Sequence, residues 1–267
     1  MEARLLPPGE GETITDRDAR DVRILVDEPQ MTLTWSRYEA GERGPDPHIH
    51  RKHADAFYIV EGEIEFGLGP GAEHVVRAPA GSVVLAPPNV VHTFANESDA
   101  RAVYLNFHAP NGGFADFLRA ARDKREFEWD SWDPPEDGGR PASHAVVCLP
   151  DEGERFERGD RTVTILADTP ELSFLELAVT PGWEGVDPHT HDDHLDGFFV
   201  LDGEIEFLAG HAPEGAVMVA APGVQHGAHR PTGDTTLLNF HAPDAGFAGR
   251  IRGPLDGRAG PLRRARG

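Results

Sequence analysis

A chain of 267 residues with 25 basic against 46 acidic side chains carries a formal charge of -21, which argues against DNA or RNA as a partner because phosphate binding needs clustered Lys and Arg. The single cysteine, Cys148, excludes an intrachain disulfide framework and an all-thiolate metal site, and no apolar run is long enough to span a membrane. With 30 glycines, 23 prolines and little helical periodicity, the composition predicts a turn-rich all-β protein. The first eight residues lack the apolar core of a signal peptide, so a soluble, cytoplasmic chain is expected.

In chain order, residues 1–20 read as an acidic N-terminal arm without regular structure. Seven short segments rich in β-branched and aromatic residues follow, at 22–26, 31–38, 57–60, 64–68, 75–78, 83–86 and 102–107, each bounded by Gly, Pro or Asp. They assign residues 21–112 to a first barrel or sandwich with alternating inward side chains. Phe114, Phe117, Leu118 and Ala121 recur at helical spacing after Gly112-Gly113, so residues 113–143 are expected to form one short amphipathic helix and a linker. The Trp129 to Pro141 stretch has linker composition, and its two tryptophans should pin it to a domain surface. Residues 144–245 repeat the barrel plan, Phe247 begins a truncated second helix within 246–267, and the Arg-rich tail from Leu255 is expected to be disordered.

The repeat is explicit. Residues 24–66 superpose without a gap on 165–207, matching Asp27 with Asp168, Pro29 with Pro170, Gly41 with Gly182 and Gly44 with Gly185. The tract from Gly62 to Phe66 recurs from Gly203 to Phe207 as the same five residues. Residues 67–80 form a longer excursion than 208–214, after which register returns at Gly81 and Gly215 and at the two Asn-Phe-His-Ala-Pro runs from Asn106 and Asn239. Two homologous domains are therefore present.

Histidines cluster at matched places. His48 and His50 are two residues apart, so on an extended strand both imidazoles project from one face and a single ion can meet both. Asp55 and His92 follow, and the second copy has His189, His191, Asp196 and His226. Neutral imidazoles plus a carboxylate, with positions left for water, substrate or dioxygen, match non-haem iron and related divalent sites.

These residues resemble the two motifs of the cupin superfamily, and the duplicated chain resembles a bicupin. His48, His50, Asp55 and Gly62 follow the spacing of the first motif, as do His189, His191, Asp196 and Gly203. Gly81, Pro87, Asn89, His92 and Asn96 follow the second motif with Asn89 in place of its inner Gly, a residue that also tolerates positive φ. In the second copy Gly215, Gly223 and His226 match, while Ala221 and Arg230 replace a proline and an asparagine.

The resemblance implies two tandem double-stranded β-helix barrels of jelly-roll type, with short helical segments after each, and one divalent ion per barrel: Fe(II) first, with Mn or Ni behind it. Both copies carry Asp where the family has Glu. The shorter Asp55 and Asp196 either reach the metal or bond a ligand imidazole or bound water.

His53 and His194 also occupy equivalent places. They are candidates for an extra ligand or an acid/base group, with a solvent-exposed turn residue as the competing reading. Asn106, His108, Asn239 and His241 share strand parity and are expected to bond metal ligands or bound water, or else to tie the strand to the Ala-Pro turn. Phe57 and Ile59, and Phe198 and Val200, should wall the sites with apolar surface, and exchange of Trp35 for Glu176 and Tyr104 for Leu237 should make the pockets differ if these positions face inward.

The leading functional expectation is a mononuclear metal dioxygenase acting on a small organic substrate that chelates through adjacent oxygens. The alternatives are a non-oxidative metal-dependent isomerase, decarboxylase or hydrolase, and a non-catalytic binding module. A homodimer is compatible with the sequence and not required by it, since the duplication supplies an internal pseudo-dimer.

Overall fold

The computed structural model describes residues 2–253, so the expected disordered tail from Leu255 lies outside the described residues. The chain divides into two compact units, one of Gly11–Glu152 and one of the described parts of Met1–Glu10 and Gly153–Gly267.

In the first unit a seven-stranded sheet runs in the order Val146–Cys148, Val83–Ala86, Ala54–Glu61, Ala102–Ala109, Met31–Tyr38, Arg20–Glu28 and Glu12–Arg17. A smaller sheet of His74–Pro79, Glu63–Leu68 and His92–Ala95 accompanies it. All the pairings in both sheets are antiparallel. Alternation puts Ile64, Phe66 and Leu68 inside and Glu63, Glu65 and Gly67 less buried, the pattern of a strand with one wetted face. The central strand Ala102–Ala109 is buried along its whole length because it is paired on both sides and covered on both faces. Phe57, Ile59, Ile64, Phe66, Leu68, Val84 and Tyr104 form the core.

The second unit repeats this arrangement with the sheet Arg4–Leu6, Val217–Ala220, Leu195–Asp202, Thr235–Ala242, Ser173–Val179, Arg161–Asp168 and Glu154–Glu157, and a smaller sheet of Val186–His189, His226–Ala228, Glu204–Phe207 and Gly210–Pro213. Two antiparallel sheets in each half make the fold two tandem double-stranded β-helix barrels, as expected.

The seven predicted strands are present in the first half, longer by one to three residues at most ends, and His92–Ala95 adds one that the periodicity did not mark. Two departures concern the connecting segments. Residues 1–20 are not an irregular arm: Arg4–Leu6 pairs antiparallel with Val217–Ala220 in the second unit, and Glu12–Arg17 pairs with Arg20–Glu28 in the first. Val146–Cys148, placed by sequence at the start of the second barrel, pairs with Val83–Ala86 of the first. Each barrel sheet is thus edged by a three-residue strand, too short for local periodicity to announce and formed because a sheet edge offers unpaired backbone groups. The predicted helix spans Phe114–Arg122, starting from Gly113 in the left-handed conformation, and its shorter counterpart spans Phe247–Arg252.

Motif glycines have conformational reasons. Gly62 and Gly203 have φ of 74° and 79°, and a Cβ at either would collide with a backbone carbonyl, that of Arg101 or of Asp234. Asn89 does adopt positive φ, 69°, where Gly223 has 77° in the second copy.

Candidate metal centres

Backbone pairing assembles the first site. His48 and His92 exchange both backbone hydrogen bonds, 3.1 and 3.0 Å, so two histidines far apart in sequence face each other. His48 and His50 rings lie 4.8 Å apart between centroids and His48 and His92 rings 4.3 Å. Asp55 opens the strand Ala54–Glu61 and is in register with His108 on Ala102–Ala109, with Asn106 opposite Phe57. The second site is built alike, with His189 paired to His226 and Asp196 in register with His241.

In each site one nitrogen or carboxylate oxygen from each of three histidines and an aspartate converges, all within 4.8 Å of one another: His48, His50, Asp55 and His92 in one barrel, His189, His191, Asp196 and His226 in the other. Of these eight side chains only His191 is more than marginally exposed. His48 Nδ1–H donates to Asp46 O at 2.9 Å, His92 Nδ1–H to Val90 O at 3.0 Å, and His50 Nδ1–H to the carbonyl of Asp130. A carbonyl can only accept, so each Nδ1 carries the proton and each neutral ring presents the Nε2 lone pair to the interior. His92 Nε2 then faces Asp55 Oδ2 at 3.2 Å, and His50 Nε2 is buried with no hydrogen-bond partner.

The second barrel repeats the pattern. His189 Nδ1–H donates to Asp187 O at 2.8 Å and His226 Nδ1–H to Val224 O at 3.0 Å. His189 Nε2 and His191 Nε2 approach to 3.2 Å, and His226 Nε2 and Asp196 Oδ2 to 3.1 Å. The unprotonated His226 Nε2 facing the Asp196 carboxylate at this distance calls for a cation between them, either a proton or a metal ion. The donor set therefore fits a divalent ion in both barrels.

Burial favours the neutral form of His48, His189 and His191. Burial, reinforced by the neighbouring His92 and His50, pushes His48 down to about 3, and burial with His194 nearby pushes His191 down to about 4. Burial lowers His189 as well. For Asp55 burial opposes ionisation, but the proximity of His108 and of the His50 and His92 rings outweighs it and holds the carboxyl well below the usual range. Asp196 is lowered in the same way against its burial, chiefly by His241 and His226. His226 moves up, since its bond to Asp196 outweighs desolvation.

The residues flanking these sets are where parity placed them. Asn106 Nδ2 donates to Asp55 Oδ1 and to Ala56 O, and Asn239 Nδ2 to Asp196 Oδ1 at 2.7 Å and Gly197 O at 3.0 Å. His108 Nε2 lies 3.5 Å from Asp55 Oδ1, and His241 Nε2 lies 3.5 Å from Asp196 Oδ1. Each aspartate therefore has one oxygen engaged by an amide and an imidazole and the other turned to the histidine set.

His53 and His194 are buried, at 0% and 4% exposure, which overturns the solvent-exposed turn reading. Their rings lie 4.1 Å from those of His50 and His191. Burial pushes His53 down to about 4, and it forms a second histidine group with His50 and His108.

The sequence reading missed Asp130. Its carboxylate accepts from the Arg51 and Lys52 amides at 3.0 and 2.6 Å and from Trp132 Nε1 at 2.9 Å, and lies 3.2 Å from His53 Nδ1. Its carbonyl is the partner of His50. The Trp129 ring packs against His50, His53, His108 and Phe117, with centroids 4.9, 5.7, 5.6 and 4.7 Å away. The linker is thus part of the first site. Its tryptophan content was the available signal, and it predicted attachment to a surface without saying which.

A cavity of about 460 Å³ opens onto the first site, with Phe114, Phe117, Leu118 and Ala121 of the helix on its wall, and one of about 410 Å³ opens onto the second. Tyr104 and Leu237 line these cavities, whereas Trp35 and Glu176 do not. Their strands alternate, and Trp35 falls between the lining residues Thr34 and Ser36 as Glu176 falls between Leu175 and Leu177. Phe198 is on the wall of the second cavity, while Phe57, Ile59 and Val200 belong to the cores.

Residues 34–108, which include all four candidate ligands of the first site, match the cupin domain family. No curated protein matches the chain. Among solved structures it is similar to oxalate decarboxylase from Lactobacillus farciminis in complex with formate, with 12% identity, a TM-score of 0.63, and 90% of this chain and 86% of that chain covered. It is similar to the Bacillus subtilis oxalate decarboxylase studied for its Mn(II) centres, with 13% identity, a TM-score of 0.65, and 91% and 78% covered. Procruciferin, the 11S globulin of Brassica napus, matches with 11% identity, a TM-score of 0.61, and 91% and 84% covered. At such identities the likeness speaks for the fold, and one architecture carrying both an enzyme and a globulin leaves function to the site. With the family match over the first barrel, the repeated motifs in the second and two barrels in one chain, residues 34–108 carry a cupin domain and the chain as a whole has the two-barrel fold of a bicupin.

Proposed function

We propose that the protein is a metal-dependent enzyme that binds a small organic substrate through adjacent oxygen atoms at a divalent ion and transforms it without oxidation, with decarboxylation the leading reaction. The observation that carries this reading is the convergence of three imidazole nitrogens and one aspartate oxygen beside a cavity in each barrel. His48, His50, His92 and Asp55 would hold one ion, and His189, His191, His226 and Asp196 the other.

Asp55 and Asp196 serve as ligands in this reading. Two donors at about 2.1 Å from one ion and at right angles lie about 3.0 Å apart, and the Asp Oδ2 to His Nε2 separations are 3.2 and 3.1 Å. A bound divalent ion supplies Lewis acidity and a template for the substrate oxygens.

The remaining work falls to the protein. Asn106 and His108 hold Asp55 from behind, Asn239 and His241 hold Asp196, and the burial of each set excludes water. His53 and His194 are the candidate acid/base groups, each with its ring 4.1 Å from that of a candidate ligand.

The similarity to oxalate decarboxylases supports the non-oxidative reading, and Mn(II) is favoured alongside Fe(II) because manganese is named for one of them. An Fe(II) dioxygenase is the second reading. It draws on the apolar side chains beside the ligands, Phe94 in the first cavity and Phe198 in the second. The test is loss of a small dicarboxylic or 2-oxo acid with the oxygen concentration followed in parallel. Turnover that persists anaerobically with release of carbon dioxide supports the first reading, and turnover that consumes dioxygen in proportion overturns it in favour of the second.

A further inference from the structure

Beyond the metal positions the two cavities differ chemically, and the differences fall at matched positions of the repeat. Strand Met31–Tyr38 contributes Thr34, Ser36 and Tyr38 to the first cavity, and Ala102–Ala109 contributes Tyr104. The Tyr38 and Tyr104 rings meet edge to face with centroids 5.2 Å apart, and the Arg20 guanidinium lies 4.3 Å above the Tyr38 ring. The first cavity therefore has a hydroxylated wall.

In the second barrel Leu175, Leu177 and Leu237 stand at the places of Thr34, Ser36 and Tyr104 and line the cavity, while Val179, at the place of Tyr38, is absorbed into the core. Trp183, Phe198 and Met218 extend this wall. Apart from the residues of the metal site, the ionisable side chains on it among the described residues are Arg161 and Arg250, and both reach solvent.

A polar body placed there would lose water and gain no hydrogen bond, at a cost that grows with each polar group. A hydrocarbon body would gain with each methylene removed from water. Polarity is concentrated at one end, on His189, His191, His226 and Asp196.

We propose that the second barrel is the site of an amphiphilic ligand, with a chelating oxygen head on the metal and a hydrocarbon body along Leu175, Leu177 and Leu237, and that the first barrel, whose apolar helix wall of Phe114, Phe117 and Leu118 is joined by the hydroxyls of Thr34, Ser36, Tyr38 and Tyr104, favours this body less. The two barrels are then sites for different ligands and not duplicate copies of one site. The inference rests on the chelation reading above.

The test uses the full chain loaded with Zn(II) and a series of n-alkyl hydroxamates from acetohydroxamate to hexanohydroxamate, titrated calorimetrically. Affinity at one site should rise about threefold to fourfold for each added methylene, the increment of burying one CH₂, and rise less steeply at the other. The steeper rise should persist in His48→Ala/His50→Ala, vanish in His189→Ala/His191→Ala and shrink in Leu177→Ser/Leu237→Tyr. Equal slopes at both sites, flat or rising, or a steeper rise that follows the first barrel, overturn the inference while leaving chelation intact. Failure of acetohydroxamate to bind the metal-loaded protein at all overturns the chelation reading and this inference with it.

Discussion

Asp55 and Asp196 show how a single side chain couples fold to chemistry. One oxygen of each is held by an asparagine amide and the other faces imidazole nitrogens. Asp55→Ala should lower metal affinity at the first site by more than the tenfold to hundredfold typical of losing a residue that only supports a ligand, and Asn106→Ala should fall within that range. Equilibrium dialysis against a competing chelator measures both, and equal affinities for Asp55→Ala and the parent would remove the aspartate from the ligand set.

Histidine pKa shifts make a second residue-scale prediction. His48 is held at about 3, and His53 and His191 at about 4, against about 6.5 in an unfolded chain. Between those values the unfolded state binds protons that the folded state refuses, so metal-free protein should lose stability as pH falls from about 6.5 toward 4. The lowered carboxyls of Asp55 and Asp196 add to the loss below about 3.8. His226 works the other way, because its raised value contributes stability at low pH that is lost as pH rises through it. The lowered histidines, which also include His108, His189 and His241, outnumber the raised His226 and predict a lower urea midpoint at pH 5 than at pH 7.5 after EDTA treatment.

Among the elements, the least conspicuous ones decide the most. The Trp129 to Trp132 segment has no regular structure of its own, yet its main chain pairs with Ile49 at 2.9 and 3.0 Å and Asp130 anchors the turn after His50. Asp130→Ala should weaken metal binding at the first site by about tenfold, following the cost of removing an outer partner, and leave the second site unchanged. Metal titrations of His189→Ala/His191→Ala with and without Asp130→Ala isolate that effect.

Strand Arg4–Leu6 has a comparable role in the second unit. Leu6 is 5% exposed on the edge beside Val217. Leu6→Ala should cost the second unit about 2–3 kcal/mol, the usual range for a buried leucine. Denaturation followed through metal release from each site would show the second released first.

For the whole molecule, duplication means that each candidate site draws all its ligands from one compact unit. Native protein should therefore hold two equivalents of divalent metal per chain, with one lost in His48→Ala/His50→Ala and the other in His189→Ala/His191→Ala. Free metal at about a hundred times its dissociation constant should stabilise each unit by about 2.7 kcal/mol, and EDTA should remove that increment. A single equivalent abolished by the first pair of substitutions and untouched by the second would confine metal binding to the first barrel.

Local sequence settled the parts that depend on local rules. The alternation of apolar residues in Glu63–Leu68, the glycine needed at Gly62, and the repetition of His-x-His, Asp and His at matched spacing were all readable from one chain, because period, φ and ligand type are properties of short segments. Duplication amplified each signal by showing it twice. Tertiary structure alone decided the rest. Nothing near Asp130 says that its carbonyl will meet His50, and a three-residue strand such as Arg4–Leu6 or Val146–Cys148 has no periodicity to detect. Partner choice at a sheet edge, the inward turn of Tyr104 and Leu237, and the outward turn of Trp35 and Glu176 follow from register between strands distant in sequence, and register is fixed only when the two faces of the sheet compete for burial.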